Sequence, residues 1–299
     1  MIRTHRLLVP ISAIGLLFLT ACERPPVETT QVGFRGTGMV DVQNPRAPKP
    51  ALGYPLAQPD IPDAGPKAGE IYQNVQVLGD LSVARFTRLM LAMTQWVAPG
   101  DGPDQGCNYC HYPENLADDG KYTKIVSRRM IQMTHHINDN WANHVGDNGV
   151  NCYTCHRGKN VPEYIWFASD YEAAGMTAHA GNRMGQNRPE AAVGYSTLPA
   201  DPFTRFLSSP DGPRARVAHT GPFPPPDGGN TFPHTEAVYG LMMNWSTGLG
   251  VNCTYCHMTS AFHNWQTSTP ARMTAFHGMN MVRDLNADYL TPLQPVYPD

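Results

Sequence analysis

Leu241–His257 reads LMMNWSTGLGVNCTYCH, and the reading of this stretch decides the fold. A short helical run carries Met242, a glycine-rich turn follows, and the stretch closes on Cys253-Thr-Tyr-Cys256-His257. C-x-x-C-H is the attachment signature of a c-type haem. Two thiols on one helical turn match the separation of the porphyrin's two vinyl groups. The adjacent His supplies a nitrogen to iron, and a thioether on the far face raises the reduction potential.

The stretch recurs. Met90–His111 reads MLAMTQWVAPGDGPDQGCNYCH and Met130–His156 reads MIQMTHHINDNWANHVGDNGVNCYTCH. A single C-x-x-C-H arises by chance, in a zinc site or in a redox dithiol. Three copies, each preceded by a Met-bearing helical segment, point to three covalently bound haem c groups. Cys107, Cys110, Cys152, Cys155, Cys253 and Cys256 are the attachment residues, and His111, His156 and His257 the proximal iron ligands.

Length and composition agree. The 299 residues suit one or two domains, with aromatics at 9% and charged residues at 16%. Buried porphyrins would supply core volume that side chains otherwise provide. With 28 Pro and 27 Gly, many connections are irregular. The expected class is mainly α with extensive irregular loops and little sheet.

The amino terminus reads as a targeting segment rather than as part of the fold. Arg3 and Arg6 precede the apolar run Leu7–Leu19, and Leu19-Thr20-Ala21-Cys22 resembles the bacterial lipoprotein processing box. The alternatives are an ordinary signal peptide or an uncleaved anchor. On the lipoprotein reading residues 1–21 are removed and a diacylated Cys22 tethers the mature chain to the periplasmic face of the inner membrane, since two acyl chains anchor stably. The seven Cys are then accounted for, six in haem motifs and Cys22 for lipid. Haem attachment of this kind occurs outside the cytoplasmic membrane, in agreement with export.

The formal charge is −3, and without Arg3 and Arg6 it becomes −5, from 20 basic and 25 acidic residues. Such a balance excludes a nucleic-acid partner. A mildly acidic surface steers a basic partner such as a small cytochrome, or simply maintains solubility.

Residues 22–69 form a Pro-rich arm, with nine Pro in 23–66, and residues 70–299 the haem-bearing domain. Ile71–Leu81 alternates in part and predicts a short strand pair. Ser82 caps a helix over Val83–Val97, ended by Pro99. A longer helix follows over roughly Thr123–Ala142, with Ile125, Met130, Met133 and Ile137 at helical spacing. Residues 158–234 connect, with one helix near Glu163–Ala174 and an extended crossing loop through the nine Pro of 199–233. Thr235 and Glu236 start the helix that carries Met242. Thr269 as cap and Pro270 at the first position start a last helix that stops near Pro292.

A second level of repetition is present. Met133-Thr-His-His-Ile137-Asn138-Asp-Asn-Trp141 aligns with Met281-Val-Arg-Asp-Leu285-Asn286-Ala-Asp-Tyr289 at an offset of 148, and His111 aligns with His257 at 146. The pattern is that of a duplicated two-haem module, with pseudo-repeats at about 70–157 and 235–299. The fourth unit has its helix but no C-x-x-C-H, because the offset carries Cys152 past Asp299.

For the distal ligands each helix offers a pair: Met90 or Met93, Met130 or Met133, Met242 or Met243. A Met stripe at helical spacing is usually core. Met133 matches Met281 on a helix without its own motif, whereas Met130 matches Gly278, so Met130 is preferred. The spacing alone does not sort the other pairs. His144 stands apart, as a surface residue or a propionate contact. His135, His136, His219 and His263 have no motif around them.

RFTRLMLAMTQWV, GVNCYTCHRG, YGLMMNWSTGLGVNCTYCH and MVRDLNADYL closely resemble the cytochrome c subunit of purple-bacterial photosynthetic reaction centres, over about residues 70–299 and the lipoprotein start. In that family four haems form a row, in the spatial order first, second, fourth, third. The resemblance implies distal Met ligands at Met90, Met130 and Met242, and assigns His144 as the remote ligand of the fourth haem. The chain is therefore expected to be a three-haem variant. It would be a membrane-tethered electron-transfer subunit, not an enzyme, that re-reduces the photo-oxidised special pair. The implied partners are the reaction centre L and M subunits and a soluble donor, a small cytochrome c or a high-potential iron–sulfur protein. The alternative is a respiratory multihaem electron carrier or reductase subunit, which would need an open iron position.

Overall fold

The structure is a computed structural model that describes residues 28–31, 40–43, 59–162, 193, 196–199, 201–217 and 231–298. The region expected to hold a helix near Glu163–Ala174 lies outside the described residues, as do residues 1–27. Helices dominate. Two four-residue strands, β1 (Glu28–Gln31) and β2 (Val40–Gln43), pair antiparallel with Glu28 opposite Gln43. Among the described residues no helix is long and apolar enough to cross a membrane.

The expected strand pair over Ile71–Leu81 does not form. Instead α1 (Ala68–Ile71) is followed by turns, and one Lys67–Ser82 bridge closes the segment. Two glycines explain this. Gly69 and Gly79 bring the chain back on itself, with the Gly69 N–H donating to the Gly79 carbonyl at 3.0 Å. A Cβ on Gly69 would sit 3.2 Å from the Gly79 Cα. Asn74 then takes a left-handed turn at φ 60°, a conformation that interrupts a strand.

Helix α2 (Val83–Val97) begins as expected, its N-cap Ser82 Oγ accepting from the Arg85 N–H. Helix α3 (Tyr122–Asn140) is broken at Trp141, φ −115° and ψ 20°, and resumes as the short α4 (Ala142–Val145). Helix α5 (Cys152–His156) is capped by Asn151 and ends on Arg157 in the left-handed region.

The Pro-rich stretch after 199 is not wholly extended. It contains α6 (Phe203–Leu207), whose Phe203, Phe206 and Leu207 are buried with Ala237, Val238 and Leu241 of α7 (Phe232–Leu249). Helix α7 starts earlier than Thr235. Thr231 is the cap, accepting from the His234 N–H, because Pro233 lacks a donor and suits the first turn. Helix α8 (Pro270–Leu285) follows Thr269 as expected. It continues through a π turn, Asn286–Leu290, and a 3-10 turn, Thr291–Val296, which accommodates Pro292 and Pro295. Arg283 of α8 reaches back to the carbonyls of Phe206 (2.5 Å) and Pro213 (2.9 Å), so α8 is locked to α6.

Among the described residues a hydrophobic cluster lies between α6 and α7, with Met279 and Val282 of α8 packed against it. In the first half Leu91 and Ile125 remain 55% and 41% exposed on α2 and α3. Helices with apolar faces left uncovered by side chains are what a fold with a non-protein core component presents.

Candidate haem-attachment sites

The first and third C-x-x-C-H motifs share one geometry. Gly106–Tyr109 and Cys253–Tyr255 are 3-10 turns. The His111 N–H donates to the Cys107 carbonyl at 3.0 Å, and the His257 N–H to the Cys253 carbonyl at 3.0 Å. Each turn is pinned from the next helix: Thr123 Oγ1 donates to the Tyr109 carbonyl at 2.5 Å and Thr269 Oγ1 to the Tyr255 carbonyl at 2.6 Å. This second use of Thr269 explains why its side chain does not cap α8. The second motif is a single α-helical turn, held by α3 through a two-way bond between the Asn138 amide and the Val150 backbone.

Helix α2 lies beside two motifs at once. Its end receives the Gly106 N–H on the Ala98 carbonyl at 2.7 Å and the Gly158 N–H on the Trp96 carbonyl at 2.9 Å. Gly106 is required here. Its φ is +58°, and a Cβ would lie 2.8 Å from the Gly100 carbonyl oxygen.

The three motif histidines are oriented alike. The Nδ1 of His111 lies 2.8 Å from the Leu116 carbonyl oxygen, that of His156 3.0 Å from Lys159, and that of His257 2.9 Å from Phe262. A carbonyl can only accept, so each Nδ1 carries a proton, and Nε2 is the nitrogen left to face a ligand. Metal-bound histidines are held by this kind of partner. Burial pushes His111 and His257 below the ordinary imidazole value, which favours the neutral, ligating form.

No disulfide joins the six motif cysteines. Burial raises the thiols of Cys110, Cys152, Cys155 and Cys256. Cys110 Sγ lies 3.2 Å from Ser127 Oγ. Paired thiols on one turn, with an imidazole nitrogen beside them, fit a covalently attached haem.

The candidate distal residues occupy the expected helices. Met90 and Met93 on α2, Met130 and Met133 on α3, and Met242 and Met243 on α7 are all half-buried. Met242 lies against the hydrophobic cluster of α6 and α7. His144 ends α4 with its Nδ1 buried and without a hydrogen-bond partner. Its ring rests on α8 at Gly278, where a Cβ would stand 3.1 Å from His144 Nε2. Cys22 lies outside the described residues.

Sequence reasoning missed several residues. The acceptors Leu116, Lys159 and Phe262 act through backbone carbonyls, which carry no side-chain signature. Lys124, 7% exposed, donates to two of the loop carbonyls beside His111. His136, which no motif surrounds, joins α3 to α8 through Asp284. The offset of 148 that pairs His136 with Asp284 was the available signal.

Residues 23–299 match the family model described as photosynthetic reaction centre cytochrome C subunit. The chain is 46% identical to the photosynthetic reaction center cytochrome c subunit of Rubrivivax gelatinosus, over 99% of this chain and 79% of that protein. It is 44% identical to the subunit of the same name from Thermochromatium tepidum, over 96% of this chain and 70% of that one. With that of Roseobacter denitrificans the identity is 41%, over 92% and 76%.

Proposed function

The chain belongs to the photosynthetic reaction centre cytochrome c subunit family, and on that premise we propose that it delivers electrons from a soluble donor to the photo-oxidised special pair of a reaction centre. The observation that carries the reading is the threefold recurrence of C-x-x-C-H with its His Nδ1 on a backbone carbonyl. Haem c, when bound, supplies reversible one-electron chemistry. The rest is work of this chain's residues.

Residues 1–299 attach three haems on this reading. Cys107 with Cys110, Cys152 with Cys155, and Cys253 with Cys256 form the thioethers. His111, His156 and His257 are the proximal ligands, and Met90, Met130 and Met242 the distal ones. The carbonyls of Leu116, Lys159 and Phe262 fix the ring orientation and hold each Nδ1 proton. The thioether side chains keep the potentials high enough for a donor to a photo-oxidised pigment.

The two halves form a duplicated module, which the repeated Thr–Tyr pin and the 148-residue pairing of α3 with α8 support. Residues 1–21 act as the lipoprotein signal, Cys22 carries the acyl chains, residues 22–69 form the arm and residues 70–299 the haem domain. The protein then works at the periplasmic face of the photosynthetic membrane, against the L and M subunits. Its donor is a small cytochrome c or a high-potential iron–sulfur protein.

The test is purification of membranes from a strain that expresses the tagged chain, followed by flash spectroscopy. Bacteriochlorophyll should co-purify, and re-reduction of the special pair should oxidise c-type haem on the same complex. A tagged chain without pigment, or one whose reduced haems bind carbon monoxide at an open iron position, would instead favour the respiratory reading.

A further inference from the structure

The loop that follows the first motif is bound by a charge from α3 that its repeat-equivalent lacks. His111 Nδ1 donates to the Leu116 carbonyl at 2.8 Å, and the same oxygen accepts from Lys124 Nζ at 3.0 Å. Lys124 is 7% exposed. Its ammonium also donates to the Asp118 carbonyl at 2.8 Å and lies 3.0 Å from Asp119 Oδ1. Asp119 in turn is bound by Arg128 at 2.8 Å and by Asn74 at 2.9 Å. The Arg128 hydrogen bond, with Asn74 next, holds the Asp119 carboxyl well below the usual carboxylate range. Lys124 and Arg128 outnumber the one carboxylate they share, and Lys121 adds a further positive charge felt at His111, so positive charge prevails at the carbonyl that orients it.

The third motif repeats the loop without a cation on the orienting carbonyl, although Arg272 acts electrostatically on His257. At the offset of 146, Leu116 corresponds to Phe262, whose carbonyl accepts from His257 at 2.9 Å. Lys124 corresponds to Pro270, which has no side-chain donor, and Asp119 to Trp265. Arg272 nearby donates instead to the Asn264 carbonyl and to Ser268.

We propose that Lys124 is a positioning residue that raises the reduction potential of the haem attached at Cys107 and Cys110, by sharing the Leu116 carbonyl with His111. Two effects act in the same direction. A carbonyl already bound to an ammonium accepts less strongly from the His111 N–H, so the imidazole donates less electron density to ferric iron. The uncompensated charge also disfavours the more positive oxidised state. The third haem, without this charge, has its potential set by other groups. The inference rests on the assignment of His111 as proximal ligand.

The test is a redox titration of the detergent-purified holoprotein, with each haem followed in its visible band. A Cys107→Ala, Cys110→Ala variant first identifies the first haem's band. If that variant keeps all three haems, the attachment assignment itself fails. With the band assigned, Lys124→Met should raise its oxidised-to-reduced ratio at fixed potential roughly threefold to tenfold, as expected for loss of one nearby charge. Asp119→Asn should lower that ratio, because it removes the opposing charge. Lys124→Arg should restore most of the wild-type value. The other two haems should move little. An unchanged first haem in Lys124→Met would overturn the proposal. So would shifts of the same sign in Lys124→Met and Asp119→Asn, which would show a disturbed loop rather than a charge.

Discussion

His136 Nε2 of α3 lies 2.6 Å from Asp284 Oδ2 of α8, and the two residues are 148 positions apart, the offset at which Met133–Trp141 aligns with Met281–Tyr289. Trp141 Nε1 donates to the same oxygen at 2.8 Å, and Tyr289, the repeat-equivalent of Trp141, packs its ring 5.2 Å from that of His136. Arg129 lies over Tyr289 at 4.5 Å and donates to the Asp288 carbonyl. A carboxylate and aromatic rings thus make this contact between α3 and the end of α8.

The first prediction concerns Asp284. Burial pushes its carboxyl up, but the bonds from His136 and Trp141 prevail and hold it below the ordinary value. A depressed carboxyl contributes stability that is present above its unfolded value, about 3.9, and is lost as pH falls through the folded value. Asp284→Leu should therefore cost about 1–3 kcal/mol at pH 7, since it leaves the Trp141 N–H without its acceptor. The difference from wild type should shrink in acid below about pH 4. Urea unfolding of the holoprotein at pH 7 and at pH 3 measures both. An equal cost at the two values would show that the carboxylate charge contributes nothing.

The second prediction concerns Gly106. Its positive φ and the close Gly100 carbonyl leave no room for a methyl group. Gly106→Ala should strain the turn that presents Cys107 and cost about 1–3 kcal/mol. Attachment of the first haem should fall while the other two are retained. Haem-stained peptide mapping separates the three, and unchanged first-haem occupancy would refute the requirement.

The third prediction sorts the methionine pairs. Met90→Ala, Met130→Ala and Met242→Ala should each remove one third of the weak far-red absorption that Met-ligated ferric haem shows. Met93→Ala, Met133→Ala and Met243→Ala should leave it, costing instead about 2–5 kcal/mol of stability where the side chain packs in the core. The pair on α7 is the sharpest test, because Met242 touches the hydrophobic cluster. Loss of the band in Met243→Ala but not in Met242→Ala would reverse that assignment.

Legibility in the sequence followed side-chain chemistry. Ser82 and the Thr269–Pro270 pair mark helix starts by their residue types, and both starts are where expected. Thr235 misled because Thr231 with Pro233 is the better cap, four residues earlier. Ile71–Leu81 misled because its partial alternation yields to Gly69 and Gly79, whose close backbone approach turns the segment. Helix α6 was hidden among prolines, yet Phe203, Phe206 and Leu207 are its buried face. The three histidines are marked in the sequence by C-x-x-C-H. Their carbonyl partners are not, since any residue supplies a carbonyl, and only the loop geometry selects Leu116, Lys159 and Phe262.

The fourth prediction concerns the anchor. Mature protein should begin at Cys22, with acyl chains on its sulfur and amino group, and mass spectrometry of the amino-terminal peptide should show them. Cys22→Ser should release the chain from membranes that lack the reaction centre. Release should be weaker where the reaction centre is present, because protein contacts then add to retention. An unmodified residue 22, or a peptide that retains Met1–Ala21, would remove lipid from the account.

The last prediction concerns His144. Its Nδ1 is buried without a partner, and its ring meets α8 at Gly278, the repeat-equivalent of Met130. An imidazole thus stands against α8 where the corresponding position of α3 carries a thioether side chain. An orphaned buried nitrogen costs about 1–3 kcal/mol, so a ring kept in that position calls for a function. Residues 1–299 should bind three haems per polypeptide, measured by pyridine haemochrome against amino-acid analysis, and His144→Ala should leave all three spectra and potentials unchanged. The same substitution in a longer chain with a fourth attachment motif should alter that haem alone, from low-spin to open at one axial position. If His144→Ala instead changes one of the three haems, His144 rather than methionine is its distal ligand. The Met assignment on that helix would then have to be withdrawn.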